Sequence, residues 1–341
     1  MFTLTPGRVT SPAKDQLGHL RVLDGWRGIS ILAVLACHLL PLGPKAWRLN
    51  DAAGVFGMAI FFCLSGFLIT SFLLKEPSVK AFLIRRLCRI VPLAWLAIPI
   101  GLAMAHASSP FYWHSFLFVA NYPPFFLTPV TAHFWSLCVE MQFYAGIALI
   151  YGVLGKRALY WALPLSCLAA TAWRVHVGAY VSIITQERID EILAGAVMAL
   201  VYHSHFRLWL GKVPTVVLLL LYFVSTHPDS LMVNYSRPYL AAILVGSTLS
   251  RDTLLTPLLT ARPLAYIASI SYALYVWHPL VADTWLGSGA KIVKYLKRPL
   301  LFAAVFAVAH ASTFWYERHW IEAGKRWSRR SSGKRDQAQV A

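Results

Sequence analysis

The sequence predicts an all-α integral membrane protein of about ten transmembrane helices, with both termini cytoplasmic. Three observations carry that expectation. The chain is 58% hydrophobic and 13% charged, where soluble domains run near 25% charged. Its apolar runs are long and charge-free, which suits helices rather than the short alternating strands of a barrel. Its lysines and arginines cluster between those runs and give a net charge of +17. In a soluble protein that charge would point to nucleic acid. Flanking apolar runs, it points to membrane topology and lipid headgroups, and no nucleic-acid partner is expected.

Taken in order, residues 1–22 form a cytoplasmic tail, 23–318 the membrane domain, and 319–341 a second, basic cytoplasmic tail. The mostly polar first twenty residues argue against a cleavable leader. Spans are expected at 23–43 and at 54–74, the latter twenty-one residues without a charge. A basic loop follows, then a span at 88–105 and an aromatic, proline-rich loop over 106–132. Further spans are expected at 133–153, 158–173, after Arg188 to 202, and at 212–226, 236–249, 264–284 and 299–316. Asp190 and Glu191 open the sixth span, where acids suit a helix N-terminus. Ten spans place both ends on one side, and the larger share of basic loops makes that side the cytoplasm. The segment with Lys291, Lys294, Lys297 and Arg298 runs against this assignment. The five cysteines show neither a metal spacing nor a disulfide framework.

Two ionisable residues inside apolar runs stand out. Arg27 and His38 lie eleven residues apart in LDGWRGISILAVLACHLLPL, about 16 Å along a helix. An imidazole within a membrane helix is a functional candidate, the alternative being a histidine bonded to a neighbouring helix. Glu140, in HFWSLCVEMQFY, is the only formally charged residue from 90 to 155. The fourth span runs antiparallel to the first, so Glu140 and His38 are expected at similar depth. Paired, they would form a base with its orienting carboxylate. The plain alternative is a helix-packing ion pair. Ser65 precedes Gly66 and reads as small-residue packing. His278, in SYALYVWHPLV, lines the same cavity or anchors at the interface. In RRLCR, Arg85, Arg86 and Arg89 share a helix face. Guanidinium forks suit phosphate, whereas a topology signal explains one or two such charges.

These motifs, with FFCLSGFLIT and RRLCRIVPLAW, occur in an order that resembles the acyltransferase-3 family of membrane O-acyltransferases. The family's Arg-x10-His falls on Arg27 and His38, its Arg-x-x-Arg on Arg86 and Arg89, and its Glu-x-x-Phe-Tyr on Glu140, Phe143 and Tyr144. The family's usual Ser-Val-Glu-Glu-Gln-Phe becomes Cys-Val-Glu-Met-Gln-Phe here, with Glu140 kept. The resemblance implies transfer of an acyl group, acetyl foremost, from acyl-CoA to a hydroxyl of a sugar, glycan or lipid-linked saccharide, in a bacterial inner membrane. It makes His38 and Glu140 the catalytic candidates, with Arg27, Arg85, Arg86 and Arg89 for acetyl-CoA or another acyl-CoA. No metal is expected. Asp24, Asn121, Trp135, Ser136, Tyr144, Tyr272 and His278 are candidates for the acceptor cavity. A small metabolite such as a macrolide sugar is an alternative acceptor. A proton-coupled transporter with buried His and Glu is the rival class, although no inverted repeat is visible.

Overall fold

The computed structural model describes residues 12–75 and 78–331. Every long element among them is helical. The chain opens with α1 (Pro12–Leu39), α2 (Leu49–Lys75) and α3 (Val79–Met104), followed by the short α4 (Ser109–Phe116). Next come α5 (Trp135–Leu154), α6 (Leu159–His176), α7 (Asp190–Tyr202), α8 (Arg207–Leu210) and α9 (Thr215–Thr226). The last third holds α10 (Arg237–Ser250), α11 (Thr256–Leu259), α12 (Arg262–Ser269), α13 (Ser271–Ala282), α14 (Lys291–Ala311) and α15 (Arg318–Ser331).

The expected ten spans are not there. Among the described residues, four segments are long and apolar enough to cross a membrane: Arg21–Leu39, Lys45–Lys75, Val79–Met104 and Ala132–Leu154. A fifth is reached only by joining α12 and α13, which bend by 67° at Ile270. The reason is length and charge. The helices α7, α9 and α10 have 13, 12 and 14 residues, about 20 Å at 1.5 Å per residue, against a hydrocarbon core of about 30 Å. The longer α14 opens with the cations Lys291, Lys294, Lys297 and Arg298. Windowed hydropathy counts α7 and α10 as spans because they are apolar where they pack on protein, and α9 because its outward face is apolar over too short a length. With the even count gone, the placement of both termini on one side loses its basis. The membrane assignment itself keeps its support. Besides the four long helices, α5, α6 and α9 turn Leu149, Val153, Leu165 and Leu220 outward, each more than half exposed.

The centre of the bundle is α2, which packs lengthwise on α1 and α7. The α2–α7 contact is backbone against backbone. A Cβ added at Gly66 would lie 1.8 Å from the Ile192 carbonyl oxygen, and one at Gly195 would lie 2.0 Å from that of Cys63. Glycine at both positions lets two apolar helices close up, the usual device of membrane helix pairs. The helices α1 and α2 run antiparallel. Ser30 donates to the carbonyl of Gly57, and a Cβ at Gly54 would meet Cys37. That pairing fixes which side chains can share a level.

Candidate active site

Near its middle, α1 presents Arg27 to a cavity of about 40 Å³ shared with Arg86 and Arg89 of α3. Ser65, Glu140, Tyr144, Ser271 and Tyr272 complete its polar lining. The Glu140 carboxylate accepts from the Ser65 hydroxyl at 2.7 Å and from the Tyr144 phenol one turn on. Arg27 pairs with Asp24 at 3.7 Å. Among the described residues, Arg86 and Arg89 make no hydrogen bond or ion pair. Three guanidiniums thus converge on one opening, with Asp24 and Glu140 as the acids beside them. Such a cluster can receive an anion with several oxygens, such as a phosphate.

A second cavity, of about 260 Å³, lies at the other end of α1. It is lined by His38, His133, His278 and Asp283, with Val130 and Pro279 among the apolar walls. His38 is exposed and His278 wholly buried. Their ring planes lie within 13° of each other with centroids 5.0 Å apart, and His38 Nδ1 lies 2.8 Å from His278 Nε2. His133 sits edge-on to His278 at 5.6 Å. Between the two cavities stand two rings. Phe61 borders the arginine side and stacks on Tyr275 at 6.2 Å, and Tyr275 in turn lies 5.9 Å from His278. Among the described residues, no group of three or more His, Cys, Asp or Glu is arranged to hold a metal ion.

The acyltransferase-3 family, described as an acyltransferase domain, matches residues 20–318. The chain belongs to that family. It is 27% identical over 312 residues to a protein of Staphylococcus aureus (strain COL) provisionally named an O-acetyltransferase, covering 75% of this chain and 49% of that one. It is 25% identical over 348 residues to the peptidoglycan O-acetyltransferase OatA of Listeria monocytogenes, covering 84% and 52%. A Bacillus subtilis protein provisionally named a peptidoglycan O-acetyltransferase matches at 28% over 317 residues, covering 75% and 47%. The chain spans about half the length of these curated relatives. No solved structure matches it. Membership in this family supports acyl transfer, in general terms, as the chemistry of the fold.

The family motifs divide between the two cavities. The Arg-x10-His pair spans both, with Arg27 at one and His38 at the other. Arg86, Arg89, Glu140, Tyr144 and Tyr272 line the first, and His278 the second. The expected pairing of His38 with Glu140 does not form. His38 is the penultimate residue of α1, whereas Ser65, which holds Glu140, lies eight residues beyond Gly57 in the opposite direction. Reckoned from the Ser30–Gly57 contact, the two ends are roughly 24 Å apart along the bundle at 1.5 Å per residue. Each group has a different partner instead.

The remaining candidates have structural partners. Arg85 turns away to Ser328, at 2.7 Å, and over the Phe72 ring. Asp24 holds Arg27 from outside the cavity. Asn121 is fully buried, donating to Ile183 O and Thr185 Oγ1, both at 2.9 Å. Trp135 lies under Arg188 and edge-on to Phe62. Ser136 is bonded to the Tyr275 hydroxyl at 2.6 Å. Sequence reasoning passed over two residues. Ser65 was read with Gly66 as packing, and that reading fits Gly66 alone. His133 stands in the same motif as Glu140, three residues before Ser136, which was its one available signal.

Proposed function

We propose that the protein is a membrane O-acyltransferase that moves an acetyl group from acetyl-CoA to a hydroxyl of a glycan. The observation that carries this reading is the arrangement along α1: Arg27 sharing one opening with Arg86 and Arg89, and an exposed imidazole at His38 eleven residues on. The names of the matched relatives support acetyl as the group and a cell-wall glycan as the acceptor class. Arg27, Arg86 and Arg89 hold the CoA phosphates. The about 16 Å from Arg27 to His38 is within reach of an extended pantetheine arm passing Phe61. At His38 the acceptor hydroxyl gives up its proton as its oxygen attacks the thioester carbonyl. The C–S bond then breaks, and the departing CoA thiolate takes the proton from the imidazolium. The two substrates exchange the acyl group directly, and His38 ends as it began. Glu140, fixed by Ser65 and Tyr144, keeps Arg27 and Arg86 turned to the donor opening, since its charge acts on both.

The test is transfer of radiolabelled acetyl from acetyl-CoA to glycan fragments by the purified protein in phospholipid vesicles. An alkali-labile acetyl ester on the glycan is expected, and His38→Ala should lower turnover by about 10²–10⁴-fold, the usual contribution of a general base. Thioester loss with no glycan label would shift the acceptor to a small metabolite. Absence of any acetyl-CoA turnover would overturn the reading and favour a transporter. A His38→Ala rate within about twofold of the parent would remove the base role.

A further inference from the structure

The His38–His278 contact has a direction that the surrounding carbonyls determine. Pro279 lies inside α13 and has no N–H. The carbonyl four residues earlier, Tyr275 O, is therefore left without its helical donor. His278 Nδ1 occupies that place, 2.9 Å from Tyr275 O and 3.1 Å from Leu274 O. Carbonyl oxygens only accept, so Nδ1 must carry the ring proton. In a neutral imidazole the other nitrogen is then a bare acceptor. His278 Nε2 faces His38 Nδ1 at 2.8 Å, so His38 must donate from Nδ1. The lone pair of His38 is thereby confined to Nε2, on the ring edge away from His278. His278 is fully buried, and its neighbours on α13, Leu274 and Val276, are wholly enclosed, so the ring has little freedom to turn over.

We infer that His278 is the positioning residue of His38: through the carbonyl freed by Pro279 it locks His38 in the Nδ1–H tautomer and leaves Nε2 as the base facing the 260 Å³ cavity. A carboxylate commonly fills this role in base–orienter pairs. Here a neutral imidazole fills it, and the dipole of a backbone carbonyl stands behind the imidazole. The arrangement brings no second formal charge to the histidine cavity. Only its use for catalysis rests on the transferase reading. The tautomer itself does not.

Two measurements test it, and they fail separately. The first is the nitrogen spectrum of protein with ¹⁵N-labelled histidine in lipid vesicles, with the His38 signals identified by their loss in His38→Gln. In the parent, His38 should show a protonated Nδ1 and an unprotonated Nε2. In His278→Leu it should relax toward a mixture of tautomers. An Nε2–H tautomer in the parent would overturn the inference whatever the activity. The second is turnover. His278→Leu should lower kcat by on the order of 10²-fold with acceptor and donor KM nearly unchanged. His278→Gln places an amide oxygen where Nε2 stood and should recover kcat to within about tenfold of the parent. Equal loss in both variants would mean that His278 only fills space. Parental kcat in His278→Leu, with His38→Ala inactive, would overturn the positioning role and leave the transferase reading standing. An active His38→Ala would do the reverse, sparing the tautomer.

Discussion

Two groups of arginines are held within the helical body, and they differ in what they face. Around the start of α7, Arg174 pairs with Asp190, Arg237 donates to Glu191 at 2.7 Å, and Arg188 approaches Glu191 at 3.2 Å. All five side chains are at most 2% exposed. Arg174 and Arg237 both also donate to the carbonyl of Tyr180 at 3.1 Å. Around the middle of α1, Arg27, Arg86 and Arg89 instead share an opening. There Asp24 stands off at 3.7 Å, with its side chain 42% exposed, and Glu140 is engaged by two hydroxyls. The first group pairs each arginine with an acid inside the bundle and ties α6, α7 and α10 together, although Arg188 Nη1 has no hydrogen-bond partner among the described residues. The second is left open on one side. Desolvating a guanidinium is costly unless a partner is supplied. On the proposed reading, the partner of the open cluster of three comes from outside.

That contrast breaks most visibly at the acids. Glu191→Gln should leave Arg188 and Arg237 without a counter-charge inside the bundle, at a cost of about 3–5 kcal/mol. The expected result is loss of most folded, monodisperse protein in detergent. Glu140→Gln should be far milder for folding, because its amide oxygen still accepts from Ser65 and Tyr144. Its effect should appear in donor binding. If the two variants lowered the thermal transition equally, both groups would be structural and the distinction would fail.

The next effect lies in the open group. Arg86→Gln and Arg89→Gln should each remove a charge-assisted contact worth about 1.5–3 kcal/mol, or about 10–100-fold in CoA affinity. Neither should move the thermal transition. Donor KM should rise more than kcat falls, since these contacts lie far from the reacting carbonyl and hold ground and transition states alike. Isothermal titration with CoA, alongside donor titration at saturating acceptor, checks both statements. Unchanged CoA affinity in folded protein would mean that the opening binds something else.

How much of this was legible in the sequence follows from what a linear pattern encodes. The helices containing the motifs, α1, α2, α3 and α5, were readable because their apolar runs are long and their ionisable residues few. Span number was not. Apolarity reports burial, and a helix of 13 residues packed on protein looks the same as a segment of a span in lipid. The dyad failed for a related reason. Depth was estimated from residue counts, but α1 reaches its end at Leu39, one residue past His38, so the imidazole is at a helix terminus rather than well inside. His38 also shows that its two readings were not exclusive, since it bonds a neighbouring helix and opens on a cavity. Asp190 and Glu191 were read as favourable to a helix N-terminus. Their larger role, as counter-charges to arginines 16 and 46 residues away, depends on tertiary contacts that no local pattern contains.

The smallest expected effect gives the finest test of the contrast, because it separates geometry from charge counting. Arg85 adjoins Arg86 in sequence, and a view in which basic residues act through their summed field would treat them alike. One residue on a helix is a rotation of about 100°. Arg85 is thereby turned onto α15, where it donates to Ser328 at 2.7 Å, and it lies over Phe72 of α2 at 5.1 Å. It helps seat the helix whose Gly324 is packed against Cys88 of α3, where an added Cβ would fall 2.7 Å from the cysteine Cβ. Arg85→Gln should therefore cost about 1 kcal/mol of stability through the lost cation–π and hydroxyl contacts. Its residual field at the donor opening is small. A unit charge at roughly 10 Å in high dielectric amounts to about 0.4 kcal/mol, or about twofold in affinity. The expected signature is a slightly lowered thermal transition with CoA affinity within about twofold of the parent, the reverse of Arg86→Gln. A tenfold loss of CoA affinity in Arg85→Gln, at unchanged stability, would show the donor responding to total charge near α3 rather than to the three guanidiniums that line the opening.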